Sequence, residues 1–242
     1  MHHGFYLVCR ELTFLSAIDL PPQKRITIDF IRHGEPEGGD ILRGRVNPVL
    51  TAQGWSQMRN AAALDGSHKA SALTPPWTHI ISSPLLRCRE FADRTAGSVK
   101  LSASIEDQWQ EIDYGDWDGM LISDWRKVAA EQFKAFQTDL AALAPPNGED
   151  YLSFKERIQS AFEGLAELPD KSHVLVVTHG GVLRVVLPTV LGMPLNKSFP
   201  LFIPFACYSR VSVDVVEGKT YSALMFHNGA EYAAGNYKLV KD

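Results

Sequence analysis

Three times along this chain an apolar, β-branched run ends in a short turn carrying polar side chains, and a helix-like stretch follows. Ile26-Thr27-Ile28-Asp29-Phe30-Ile31 runs into Arg32-His33-Gly34. His79-Ile80-Ile81 runs into Ser82-Ser83-Pro84, with Leu85 to Ala96 helical in pattern after it. His173-Val174-Leu175-Val176-Val177-Thr178 runs into His179-Gly180-Gly181, and helix resumes through Leu191. After the first unit, Thr51 in Leu50-Thr51-Ala52-Gln53-Gly54 offers a helix cap before a helical stretch through Leu64. Strands alternating with helices predict a three-layer α/β/α sandwich around a mostly parallel central sheet. In such sheets ligands gather beyond the carboxyl ends of the strands. The turns containing His33, Ser83 and His179 are therefore expected at one mouth, although they lie far apart in the chain.

Between the second and third units, two helical segments are expected on either side of Pro145-Pro146-Asn147-Gly148. The later one spaces Tyr151, Phe154, Ile158, Phe162, Leu165 and Leu168 as a buried helix face, and Ser153 with Glu156 reads as its capping box. Ser209 to Phe226 alternates β-branched and polar residues around Glu217-Gly218-Lys219, a hairpin pattern.

The chain has 242 residues, 45% of them apolar, which is enough for one sizeable core. We read residues 26–242 as a single domain and residues 1–25 as an N-terminal extension to which no role is assigned. A formal net charge of −4 argues against coating a polyanion, so no nucleic acid is expected as partner and any anion site must be local. The three cysteines, Cys9, Cys88 and Cys207, are scattered, giving neither a disulfide framework nor a paired metal motif. That favours a cytoplasmic setting. The longest apolar stretch, Val182 to Leu191, is broken by Arg184 and Pro188, so no membrane span is expected. Phe199 to Phe205 suits either core or subunit interface, which leaves a homo-oligomer open.

Two histidines that each follow a strand and precede glycine admit three explanations: a metal pair, coincidence, or phosphoryl chemistry. Metal sites add further ligands at short spacing, and no H-E-x-x-H or H-x-H pattern occurs, so neither a metal nor another cofactor is expected. Phosphoryl chemistry needs one imidazole as nucleophile, the other as a donor, and cations to hold the phosphate. Arg32 and Arg87 are placed to supply them. An acid for the leaving group is also required. Glu111, in Glu111-Ile112-Asp113-Tyr114-Gly115-Asp116-Trp117-Asp118-Gly119, is the candidate, with Asp113 an alternative in the same loop. Trp109, Trp117, Trp125 and Phe133 could line an apolar pocket or pack in the core, and Arg43 and Arg45 could extend a cationic rim or face solvent.

Arg32-His33-Gly34-Glu35, the segment from Asn47 to Gly54, Ser82-Ser83-Pro84-Leu85-Leu86-Arg87, Glu111 with Tyr114-Gly115-Asp116-Trp117-Asp118-Gly119, and Thr178-His179-Gly180 stand in the order found in the histidine phosphatase superfamily. The chain resembles that family from about Ile26 to Leu191. The resemblance implies a phosphoglycerate mutase-like fold and a metal-independent phosphomonoesterase acting on a small phosphorylated metabolite through a phosphohistidine. His33 resembles the nucleophile, His179 the second pocket histidine, Arg32 and Arg87 the phosphate-binding arginines, and Glu111 the proton donor. Asn47 and Gly180 resemble residues that line the substrate pocket. The Glu111 loop looks more like that of α-ribazole phosphatases and small broad-specificity phosphatases than that of mutases, so α-ribazole phosphate is among the implied substrates. A mutase-type phosphotransferase and a non-catalytic phospholigand-binding protein are the competing readings. Only two helices are expected between Glu111 and His179, leaving little chain for the lid a mutase would need to exclude water.

Overall fold

The computed structural model describes residues 22–62 and 75–229. The end of the first helical stretch at Leu64, Cys9, and all but the last residues of the N-terminal extension lie outside them. Six strands form one sheet: β1 (Lys24–Arg32), β2 (His79–Ser82), β3 (Ala103–Ile105), β4 (His173–Thr178), β5 (Tyr208–Val216) and β6 (Lys219–Phe226). Their order is β3-β2-β4-β1-β5-β6. The first four are parallel, and β5 and β6 complete the sheet antiparallel to β1 and to each other. This is the mostly parallel sheet expected, with a mixed edge.

Period-two alternation assigns the strands' side chains to two layers. Ile26, Ile28, Phe30, Val174 and Val176 join one core with α5 (Tyr151–Gly164) and α6 (Gly180–Leu191). Ile31, Leu175 and Val177 join the other with α1 (Ala52–Ala61) and α2 (Leu86–Ser98). α1 starts where expected, its Thr51 hydroxyl accepting from the Gly54 N–H at 2.9 Å. The β5–β6 turn places Glu217 (φ 49°) and Gly218 (φ 73°) in the left-handed region, the two-residue geometry that matches strand twist.

Two local expectations are corrected. The α5 cap is Asp150, not Ser153: the Asp150 carboxylate accepts the Ser153 N–H at 2.9 Å and its hydroxyl at 2.7 Å. Asp150 has the extended backbone of a capping residue, whereas Ser153 already lies in the first turn of the helix. The segment before Pro145 is not one helix but two short ones, α3 (Ile122–Val128) and α4 (Ala130–Phe136), joined at the buried Ala129. The interval between Glu111 and His179 therefore holds three α-helices, and α3 and α4 contribute Ile122, Trp125, Ala130 and Phe133 to a cavity wall. More of this interval stands in the cavity wall than the two expected helices would supply.

What positions the site is the order of the parallel strands. β4 lies between β2 and β1, with Thr178 opposite Arg32 and Val177 opposite Ser82. The three turns that follow these strands consequently emerge side by side.

The middle of β1 carries a buried charge. Asp29 is fully buried and accepts from Trp77 Nε1 at 2.9 Å, Tyr208 Oη at 2.6 Å and Arg210 Nε at 2.6 Å, with His173 Nε2 at 2.7 Å. Burial would raise its pKa, but His173 and Arg210 overcome this and hold the carboxyl at about 2. Asp29→Asn is expected to cost about 3 kcal/mol or more in urea unfolding at neutral pH, because it strands partners of a buried charge. The depressed pKa makes this contribution complete above the carboxyl's ordinary value of 3.8 and lost as pH falls through about 2. The stability gap between wild type and variant should therefore close across that window.

Candidate active site

A cavity of about 860 Å³ opens at the carboxyl ends of the parallel strands, with Arg32, His33, Glu111, Gly180 and Gly181 among its lining residues. His33 follows β1 directly and is 5% exposed. Its Nδ1 lies 2.8 Å from the Gly34 carbonyl oxygen, so Nδ1–H donates there and Nε2 keeps its lone pair. Gly34 is required by closeness: a Cβ there would stand 2.2 Å from the Gly54 carbonyl oxygen. The site therefore depends on the turn after β1 lying flat against the start of α1.

His179 caps α6 and is fully buried. The two imidazoles stand edge to face with centroids 5.3 Å apart. His179 Nε2 is 2.8 Å from the Ser83 hydroxyl, which brings the turn after β2 into the same cluster.

Both arginines are held by main-chain carbonyls. Arg32 Nη1 donates to the Ile203 carbonyl at 2.6 Å, and its guanidinium lies over the Phe205 ring at 4.5 Å. Arg87 is fully buried and donates to the carbonyls of Val46 at 2.8 Å and Gly44 at 3.0 Å. Neither forms an ion pair with a carboxylate among the described residues. The Nε of each is buried with no hydrogen-bond partner among those residues. Such donors suit an anion that brings its own acceptors.

Glu111 is 7% exposed, with Oε1 accepting the Ile112 N–H at 3.0 Å and Oε2 the Gly181 N–H at 2.9 Å. A Cβ on Gly181 would stand only 2.0 Å from Glu111 Oε1, so glycine there is what admits the carboxyl. Asp113, the alternative acid, is not in the cavity wall. It lies 3.4 Å from Arg45 Nε and accepts the Gly115 N–H.

The electrostatics follow from burial among cations. Burial, then Arg87 and Arg32, hold the His33 pKa well below 6.5, and burial with Arg87 does the same for His179, so both rings are neutral near pH 7. Glu111 is shifted the other way: burial raises its pKa against the pull of the Gly181 and Ile112 N–H groups. Cys88, whose sulfur is 3.6 Å from His179 Nε2, is pushed up to about 12 by burial and stays a thiol.

The other expectations divide. Gly180 lines the cavity, whereas Asn47 does not: its Oδ1 accepts the Leu86 N–H at 2.7 Å and so anchors the start of α2, the helix that carries Arg87. Trp125 and Phe133 line the cavity, but Trp109 and Trp117 are core residues. Arg43 is in the wall and Arg45 is not. Sequence reasoning missed Asp118, whose carboxylate accepts the N–H groups of Gly44 (2.6 Å), Arg45 (2.8 Å) and Val46 (2.6 Å). That loop supplies the carbonyls gripping Arg87, so Asp118 fixes the arginine at one remove. Tyr114, Tyr151 and Arg184 in the wall were missed as well. Arg184 had one available signal, its place one helical turn beyond Gly180 and Gly181 on the same face.

Among the described residues no three His, Cys, Asp or Glu side chains group to hold a metal ion, and no helix is long and apolar enough to cross a membrane.

Residues 28–222 match the model of the histidine phosphatase superfamily, branch 1. The chain is 28% identical over 192 residues to the adenosylcobalamin/alpha-ribazole phosphatase of Escherichia coli K12, covering 76% of this chain and 88% of that one. It is 30% identical over 194 residues to the "Probable phosphoglycerate mutase GpmB" of Proteus mirabilis, covering 77% and 84%. Among solved structures, the alpha-ribazole phosphatase of Shigella flexneri superposes with a TM-score of 0.67 at 25% identity, covering 84% of this chain and 96% of that one. On this match of family model, relatives and fold, the chain is a phosphatase belonging to branch 1 of the histidine phosphatase superfamily.

Proposed function

We propose that this phosphatase hydrolyses a small phosphomonoester through a phosphohistidine formed on His33. The observation that carries the reading is the His33 Nδ1–H bond to the Gly34 carbonyl, which reserves Nε2 for attack, beside a neutral His179 and two arginines without carboxylate partners. Arg32, Arg87 and His179 hold the phosphoryl oxygens and spread the charge that develops on them. A Ser83 hydroxyl donating to His179 Nε2 leaves the hydrogen on Nδ1, where it serves as a donor.

In the first step Nε2 bonds to phosphorus as the ester P–O bond breaks, and protonated Glu111 gives its proton to the departing oxygen. In the second, water attacks phosphorus, Glu111 takes the water's proton, the P–N bond breaks and inorganic phosphate leaves. A raised Glu111 pKa and a lowered His33 pKa are the two shifts this sequence requires. Names of the matched relatives make α-ribazole phosphate the first compound to assay. The GpmB relative and the wall built by α3 and α4 favour a second reading, transfer to a substrate hydroxyl in place of water. Release of free phosphate against exchange between phosphate isomers separates the two.

His33→Ala is expected to lower turnover by about 10³-fold or more and to abolish an acid-labile, alkali-stable phosphoenzyme trapped from labelled substrate. Unchanged hydrolysis would transfer the nucleophile role to another group. Glu111→Gln should slow alkyl phosphates by about 10²–10⁴-fold and aryl phosphates with good leaving groups far less. Equal slowing of both would remove Glu111 as the acid. Because His33 must be neutral, kcat/KM should rise with pH through a pKa below 6.5; because Glu111 must be protonated, it should fall through one above 4.5. Glu111→Gln should erase the descending limb, as pH–rate profiles of both proteins will show.

A further inference from the structure

Phosphate chemistry accounts for the floor of the cavity but not for the polar groups above Glu111. Arg184 lies on α6, half-buried, in the cavity wall. Its hydrogen bonds among the described residues both leave from Nη1, to the carbonyls of Ser198 at 2.7 Å and Phe199 at 3.2 Å. No carboxylate lies within ion-pair distance of it among those residues. Tyr151 is 6% exposed and also lines the cavity, yet its hydroxyl is buried without a hydrogen-bond partner among the described residues, as is Trp125 Nε1. Buried donors left unmatched are costly unless something arrives to accept from them.

We propose that Arg184, Tyr151 and Trp125 form a second polar subsite on the leaving-group side of the cavity, which receives a carboxylate carried by the substrate. The inference rests on the phosphatase reading above and names the class of ester that the site selects. Three arguments favour a carboxylate. The guanidinium and the indole N–H can only donate and the Tyr151 hydroxyl can donate as well, so an acceptor satisfies all three. Only one of them carries a formal charge, which suits a monoanion better than a second phosphate dianion, and a guanidinium fork matches the planar carboxylate. The walls around them are aromatic, with Trp125 and Phe133 at 4.9 Å and Phe133 and Phe199 at 5.4 Å, so the part of the substrate that joins the two anions is apolar.

Arg43, also in the cavity wall, commits both terminal nitrogens to the carbonyls of Ile41, Glu37 and Gly39, with its Nε buried without a partner among the described residues, whereas Arg184 commits only Nη1. The charge of Arg184 is felt by Glu111, Tyr114 and Tyr151, which line the same cavity. A substrate carboxylate lodged by Arg184 would place negative charge near Glu111 and favour its protonated form, the form needed to expel the leaving group.

The test is a matched pair of esters, 2-phospholactate and its carboxamide, assayed with phenyl phosphate alongside. Wild type should prefer the carboxylate by about tenfold or more in kcat/KM. Arg184→Met and Tyr151→Phe should each bring the ratio to within about threefold, chiefly by raising KM for the carboxylate. Equal kcat/KM for the pair in wild type overturns the subsite, as does a preference that survives in both variants. Failure of the enzyme to release phosphate from these three esters and from α-ribazole phosphate alike overturns the phosphomonoesterase reading on which the subsite rests. Tyr151→Phe removes one oxygen from a packed ring, so the pair of variants does not depend on how Arg184→Met folds.

Discussion

Positive charge that has been buried without a negative partner governs this site. Arg32 and Arg87 are gripped by main-chain carbonyls, which engage their terminal nitrogens but leave each Nε without a partner among the described residues and the charge unpaired. A carboxylate in either place would have made a stable pair and an inert one. Burial, reinforced by this charge, keeps both imidazoles neutral. The unpaired charge also explains the investment in positioning groups. Asp118 holds the loop that grips Arg87, and Asn47 pins the helix on which that arginine rides. These groups hydrogen-bond to backbone, and Asp118 steadies the Arg87 charge without forming an ion pair with it among the described residues.

The same sheet carries the opposite solution at Asp29. There one carboxylate collects donors from Trp77, Tyr208 and Arg210 and lies against His173, so the charge of Arg210 is paired. Asp29 ties β1 to β4 and β5, the strands on either side of it.

How much of this was legible in the chain follows from the range of each interaction. His33, Ser83 and His179 could be read together because strand period and glycine turns are local signals, and a parallel sheet converts them into a common edge. Glu111 could be named as an acid, but choosing it over Asp113 required knowing which carboxyl meets the N-terminus of α6. Asp118 was invisible because its partners lie seventy and more positions earlier. Trp125 and Trp109 look alike in sequence, and only the fold of α3 and α4 sends one to the wall and the other to the core. The α5 cap was misplaced by three residues because Asp150 and Ser153 both satisfy the local pattern, and where the backbone turns helical decides between them.

The floor and the roof of the cavity are made of different material. The floor is strand ends and buried side chains at the centre of the molecule, whereas α3 contributes no fully buried residue of its own. Substitutions along that helix therefore meet little resistance from folding stability, while those beneath it meet a great deal. A lineage built this way would keep its reaction and drift in its diet: the chemistry is inherited with the core, and the choice of molecule is rewritten on a surface the core does not need.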